Sequence, residues 1–425
     1  MDGDILFLAH RVPFPPNRGD TIRSAHLLRR LAKIAPVHVG CFAQGDEDPR
    51  DLAQLADLAA SHCAVRRSKP LALAGVEALF SRQPVSLTAF HSPDLARWVK
   101  TVIAQHNIAA IFVFSGQMGQ YVPDDFDGRV VVDLCDVDSA KFENYASAGQ
   151  RVWLNRREGR LLSHEEERLA HRADATTLIS QSEADLFKSR LQSPAMADIH
   201  VVGNGIDAAL FDPANVTPHS DITQQAGPHF VFTGQMDYPP NETAALWAAQ
   251  YFLPQIRAQF DNAQLHIVGR APTRRLLARQ HDPGLTIWGE VPDMRVFLAA
   301  ADCVIAPLQI ARGVQNKVLE AMAMARPVLL TPQAATGIAA RNGHDWMVCD
   351  AQAGAMVERI APILRDGECA RAMGQNARQF VLDHHDWGAM LNPLEDLVRG
   401  PVRGPARGPV RGPLHNEGEE ARNAA

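Results

Sequence analysis

The sequence predicts an α/β protein of two doubly wound parallel-sheet domains, and three observations carry that prediction. Short apolar runs alternate with longer amphipathic stretches from the first residues onward. The alternation breaks at 212–228, which is rich in Pro and small polar residues, and then starts again. At 425 residues the chain is long for one core and ordinary for two.

In the first domain, runs at 5–9, 37–42, 109–114, 130–134, 176–180 and 199–202 read as strands, and 21–34 reads as a helix with apolar residues at helical spacing. In the second, strands are expected at 229–233, 264–268, 286–288, 303–306, 328–331 and 347–349, with helices at 241–260 and 295–300. The break between them reads as a linker. The expected division is a first domain at 1–213, a linker at 214–228, a second domain at 229–380, a last helical element at 381–398 and a tail at 399–425. Sheets of this kind bind ligands outside their strand ends, so the two are expected to face a cleft. The tail repeats Arg-Gly-Pro with a period of four residues and has no face to bury, so disorder is expected there.

Hydrophobic residues make up 46% of the chain and charged residues 21%, as in soluble globular proteins. A formal charge of -6 gives no global basic field, which argues against nucleic acid as a partner. Six cysteines at 41, 63, 135, 303, 349 and 369 form no CxxC pair and fit a reducing cytoplasm. No apolar segment approaches the roughly 20 residues that span a bilayer. The acidic N-terminus does not read as a signal peptide.

The most informative stretch is 312–331. It reads as a Gly-containing loop with Arg312, a short helix carrying Asn316, Lys317 and Glu320, a stop at Pro327 and a buried strand. A cation at a helix start meets anions well, because unpaired N–H groups and the helix dipole point outward there. Glu320 shares that face one turn on and can accept hydrogen bonds from a hydroxyl pair. A cation for a diphosphate beside a carboxylate for a ribose suggests a nucleotide-sugar site.

Other segments support it. Gly234 and Gln235 leave a strand and open onto a helix, with Asn241 expected as its N-cap. Arg270 follows a strand and a Gly turn, Val291 follows Trp288-Gly289-Glu290, and Thr336 and Gly337 lie in a small-residue loop after 328–331. In the first domain, Arg18, Gly19 and Asp20 sit between the first strand and the first helix, where N–H groups can face an oxyanion. Asp133, Asp136 and Asp138 follow a strand; they read either as a metal cluster or as an acceptor-facing group, Asp136, beside a helix cap at Asp138-Ser139. Arginines at 151, 156, 157, 160, 168 and 172 read either as a solvated helix face or as a membrane-facing patch.

Val318-Leu-Glu320-Ala-Met-Ala323, preceded by Asn316-Lys317, resembles the donor signature of family 4 glycosyltransferases of the GT-B fold, and the resemblance spans roughly residues 5 to 398. Two Rossmann-like domains are implied, with 381–398 crossing back to the first. In that signature two glutamates flank seven residues; Arg312 stands where the first would fall, Gln235 where most members carry Arg, and Gly203 where Pro precedes Asn204-Gly205-Ile206-Asp207. The resemblance implies a retaining sugar transfer from a nucleotide diphosphate sugar to a glycan or lipid-linked acceptor, with no metal cofactor. It is closest to transferases of exosortase and exopolysaccharide systems. On that basis a cytoplasmic protein is expected, with peripheral contact at the inner face of the membrane. Lys317 and Glu320 would hold the donor, with Asp136 on the acceptor side. Gly234, Gln235, Arg270, Val291, Arg312, Asn316, Thr336 and Gly337 would line the donor site. Two alternatives stay open: a nucleotide-sugar epimerase, and a silent nucleotide-sugar-binding protein.

Overall fold

The computed structural model describes residues 2–402, apart from 17, 18, 46, 47, 148, 150, 312 and 313. The expected tail repeat from 403 onward lies outside the described residues, as do Arg18 and Arg312. The chain forms two compact units, Met1–Gly203 with Leu391–Ala425, and Asn204–Met390.

The first unit holds a seven-stranded sheet: β1 (Asp4–Ala9), β2 (Val37–Ala43), β3 (Ser61–Arg66), β4 (Ile108–Phe114), β5 (Arg129–Cys135), β6 (Ala175–Leu178) and β7 (Ile199–Val201). All pairs are parallel, in the order β3-β2-β1-β4-β5-β6-β7. Ile5 to Ala9 are fully buried, as the unbroken apolar run of a strand covered on both faces requires. Strand β3 escapes the periodicity reading. It is an edge strand with one half-buried face, and its sequence Ser-His-Cys-Ala-Val-Arg has no apolar run long enough to register. The helix Gly19–Leu31 carries Arg23, whose buried guanidinium donates to both oxygens of buried Asp133 (2.8 and 3.2 Å) and to the carbonyls of Val202 and Gly203.

The second unit holds a six-stranded parallel sheet: β8 (His229–Thr233), β9 (Gln264–Val268), β10 (Leu285–Gly289), β11 (Cys303–Ala306), β12 (Val328–Leu330) and β13 (Met347–Val348). Its order is β10-β9-β8-β11-β12-β13. Every strand expected from the sequence falls within two residues of its observed bounds. The expected helix at 241–260 begins earlier, at Pro239, and passes through a π turn at Ala248–Phe252 into Leu253–Arg257. The wider turn ends two residues before Pro254, a residue that has no N–H for the regular helical ladder.

The stretch expected as a linker, 214–228, is folded into the second unit. Ile222 is fully buried in its core, and the His219 ring packs on Trp288 and Phe297 at centroid distances of 4.9 and 4.6 Å. Two motifs distant in sequence meet here: Ile206 N–H donates to His385 O (2.7 Å) and Trp387 N–H to Ile206 O (3.3 Å). A Cβ on Gly205 would lie 2.6 Å from the Trp387 backbone, so only glycine fits. The expected element at 381–398 is in pieces. Gly367–His384 and Trp387–Met390 belong to the second unit, while Leu394–Arg399 belongs to the first, where the Arg129 guanidinium donates to the Leu397 and Pro401 carbonyls.

A directional chain of hydrogen bonds crosses the second sheet. Trp288 Nε1 can only donate and does so to His266 Nδ1 (3.2 Å), so the His266 proton sits on Nε2 and is given to His229 Nδ1 (3.1 Å). His229 Nε2 in turn donates to Gln225 O (3.1 Å). Burial, with His229 and His219 nearby, lowers the His266 pKa to about 4. The unfolded chain therefore binds more protons between pH 6.5 and 4, so this contribution is full above pH 6.5 and is lost as pH falls through that range, by about 3 kcal/mol. Nitrogen-15 spectra should keep the His266 imidazole in its neutral Nε2–H form down to pH ~5; titration near pH 6.5 would contradict the chain.

Candidate functional site

The loops leaving the carboxyl ends of β8, β9 and β10 are tied together through their backbones. Gly234 N–H donates to Val268 O (3.1 Å), and Gly269 N–H to Gly289 O (2.8 Å). Both positions need glycine. Gly269 has φ +146° and a Cβ there would fall 1.7 Å from Gly234 O; Gly234 has φ +154° and a Cβ there would meet Asn241 Nδ2 at 2.8 Å and Lys317 Nζ at 2.9 Å.

Lys317 occupies the space that Gly234 leaves open. It lies in the first turn of the helix Asn316–Ala323, which buries Val318, Leu319, Ala321, Met322 and Ala323 and so turns Lys317 and Glu320 to the other face. Its ammonium donates to Asn241 Oδ1 (2.5 Å) and lies 4.7 Å from the centre of the Phe232 ring. Asn241 is thus not the expected N-cap, a place taken by Tyr238 with Pro239 and Pro240 following. It holds Lys317 and donates its own amide to Gln235 O (2.9 Å).

Among the described residues no carboxylate lies within ion-pair distance of Lys317; Glu320 acts on it only through space. Burial lowers the Lys317 pKa to about 8, against the attraction of Glu320. Burial raises the Glu320 pKa to about 7, against the attraction of Lys317. Two half-buried charges one turn apart therefore stand close to neutralisation without touching.

Gln235 and Arg270 form a second pair: the Arg270 guanidinium donates to Gln235 Oε1 from Nη2 (2.6 Å) and Nε (3.2 Å), and Met236 N–H donates to Arg270 O. A cation thus lies beside Gln235, supplied from the turn after the next strand. Val291 is half-buried against the core just beyond Gly289. Asn316 is exposed, and Thr336 is exposed with its hydroxyl donating to Pro332 O. Gly337 has φ +80° and lies against Val314. Gly234, Gln235, Arg270 and Lys317 are thus grouped around one turn, whereas Val291, Asn316, Thr336 and Gly337 lie in loops and helix starts after successive strands of the same sheet.

In the first unit the expectations need more revision. Gly19 opens the helix Gly19–Leu31, and a Cβ there would meet nothing within 4 Å, so the described structure does not require glycine. Asp20 is already engaged: its carboxylate lies 3.2 Å from both His10 Nε2 and Arg11 Nε, and the His10 hydrogen bond leads the effects that hold its pKa at about 2. Asp133 is consumed by Arg23, which removes it from any metal cluster with Asp136 and Asp138. The helix from Asp138 is capped by Glu166, which accepts from Ser139 N–H (2.9 Å) and Oγ–H (2.6 Å). Asp136 is exposed, and its pKa is raised by partial desolvation and by Glu183 and Asp138. Asp4, His38 and His106 bring ligand atoms within 4.8 Å at the amino-terminal edge of the sheet, but Asp4 and Ser61 already satisfy both His38 nitrogens.

Comparison with known proteins places the fold. Residues 227–366 match the family of glycosyl transferases described as group 1. Solved structures align over almost the whole chain. Sucrose-phosphate synthase of Thermosynechococcus elongatus aligns at 19% identity over 93% of this chain and 98% of that one, with a TM-score of 0.58. WaaG, a glycosyltransferase involved in lipopolysaccharide biosynthesis, aligns at 17% over 93% and 100%, with a TM-score of 0.58. HepE of Anabaena, solved with UDP-glucose, aligns at 15% over 91% and 97%, with a TM-score of 0.56. The fold is GT-B. No curated protein sequence matches the chain. The group 1 domain lies within the second unit, and Gly234, Arg270, Lys317 and Glu320 all fall inside it.

Gly269 and Gly19 give a paired test. Gly269→Ala should destabilise the protein by more than about 3 kcal/mol, because its Cβ cannot coexist with Gly234 O. Gly19→Ala should be neutral or stabilising by up to about 1 kcal/mol. Denaturant unfolding of both variants measures the contrast.

Proposed function

We propose that the chain is a retaining glycosyltransferase of family 4. It moves a sugar from a nucleotide diphosphate sugar to a glycan or lipid-linked acceptor in exopolysaccharide or cell-surface glycan synthesis, at the cytoplasmic side of the membrane. The observation that carries the reading is the Lys317 ammonium, held by Asn241 over the Gly234 turn with no carboxylate at ion-pair distance among the described residues and with Glu320 one turn along. The structures of HepE with UDP and with UDP-glucose are of a protein sharing this fold, which supports the same donor class here.

In this reading Lys317 and Arg270 meet the diphosphate and Glu320 accepts hydrogen bonds from the ribose hydroxyls. As the bond from the anomeric carbon to the diphosphate breaks, its electron pair goes to the leaving oxygen, where Lys317 stabilises the growing charge. The acceptor hydroxyl bonds to the same face of the sugar and its proton passes to the leaving diphosphate. No metal is invoked, since the cations come from the chain. Asp136 is the acceptor-positioning group.

Donor binding should be bell-shaped in pH. Glu320 works ionised, so affinity is present above pH ~7 and lost below it; Lys317 works protonated, so affinity is present below pH ~8 and lost above it. Calorimetric titration with UDP, GDP and ADP sugars from pH 6 to 9 tests this. Lys317→Ala should weaken binding about 10- to 150-fold, the range of one charge-assisted hydrogen bond, and flatten the alkaline limb. Unchanged donor turnover in both Lys317→Ala and Glu320→Ala would sink the assignment.

A further inference from the structure

The helix Leu71–Ser81 of the first unit is packed inside out. Its small residues Ala74 and Ala78 are fully buried, while Leu71, Leu73, Val76, Leu79 and Phe80 point to solvent, with exposures from 49% (Leu79) to 88% (Phe80). At 100° per residue these five cover an arc of about 200° opposite the two alanines. The helix is firmly mounted nonetheless: Lys69 donates to Glu77 (2.7 Å) and Thr88 O (3.0 Å), and the Thr88 hydroxyl donates to Ala74 O (2.9 Å). A monomeric soluble protein rarely presents so many large apolar side chains together.

The neighbouring helix Val152–Arg172 extends the patch. Arg157 reaches across to donate to Ala78 O and Gln83 O. Trp153, 68% exposed, and the exposed Arg156 and Arg160 lie on the same face as Arg157, at spacings of three, four and seven residues. Exposed Arg82 follows the end of the apolar helix. None of Arg82, Arg156 and Arg160 has a carboxylate at ion-pair distance among the described residues. An apolar face with Phe, Leu and Trp, rimmed by unpaired arginines, is complementary to the boundary between acyl chains and anionic headgroups.

We propose that Leu71–Ser81 is an interfacial anchor that lays its outward face in an anionic lipid surface, with Trp153 beside it and Arg82, Arg156 and Arg160 on the headgroups. As a route to a lipid-linked acceptor this rests on the function proposed above; as contact with lipid it rests on this surface alone. The basic helix foreseen in the sequence thereby becomes the rim of the patch, and the apolar helix its centre.

Flotation of the full chain with phosphatidylcholine vesicles, with and without phosphatidylglycerol, tests the anchor. The wild type should bind the anionic vesicles at least about tenfold more tightly than the neutral ones, and less tightly at high salt. Leu79→Ser with Phe80→Ser should cost about 100-fold or more. Arg156→Glu with Arg160→Glu should cost about 25-fold or more on anionic vesicles, from about fivefold per arginine. All these positions are exposed, so thermal melting and UDP binding by calorimetry should be unchanged. Wild-type protein that stays with the soluble fraction overturns the anchor. So does a dimer, seen by light scattering, that the Leu79 and Phe80 variant dissociates, because the face would then be a self-interface. Donor binding is read separately, so failure of the anchor and failure of the transferase reading remain distinct.

Discussion

The closest constraint in the second unit is the crossing of two backbones, Gly269 over Gly234. A side chain at 269 would occupy the Gly234 carbonyl, and one at 234 would occupy the Lys317 ammonium and the Asn241 amide. The surface at these strand ends is therefore made by omission: two strand ends surrender their side chains, their N–H groups are taken by Val268 and Gly289, and the vacated space admits a cation from a helix further along the chain. Arg270 and Gln235 then sit side by side because their turns do.

Burial does the rest of the tuning. Each of Lys317 and Glu320 is pushed toward its neutral form by loss of water, and each is pulled back by the other. A bound diphosphate would restore to Lys317 part of the solvation it lost, and hydroxyl donors would do the same for Glu320. The helix that presents them is short and its first residue is exposed, so its placement comes from the buried apolar face and not from capping.

Much of this was legible in the sequence. Strands buried on both faces leave long apolar runs, so nearly all were found in place. Lys317 and Glu320 stood out because their spacing and the glycine before them are local properties. What could not be read was contact between distant segments. Asn241 looked like a cap because Asn favours that position, but the two prolines before it start the helix earlier and free its side chain for Lys317. Asp133 looked free beside Asp136 because nothing local points to Arg23, 110 residues away. Residues 212–228 looked like a linker because Pro and polar residues dominate, yet buried Ile222, the His219 ring, Val216 and the Asp212–Arg378 ion pair fix the stretch on its core.

The charges taken from solvent fall into two kinds, and the difference separates structure from function. Arg23 meets both oxygens of Asp133 and two carbonyls, and Glu166 meets a hydroxyl and an N–H of Ser139; these groups are satisfied within the fold, as the cost of burying charge demands. Among the described residues, Lys317 has a neutral amide and a ring, and Glu320 has the through-space pull of Lys317. Among the described residues, Lys317 and Glu320 are thus met less completely within the fold than Arg23 and Asp133 are. Under the function proposed above, that incompleteness is capacity for a ligand carrying the missing anion and the missing donors, which a nucleotide diphosphate sugar would supply together.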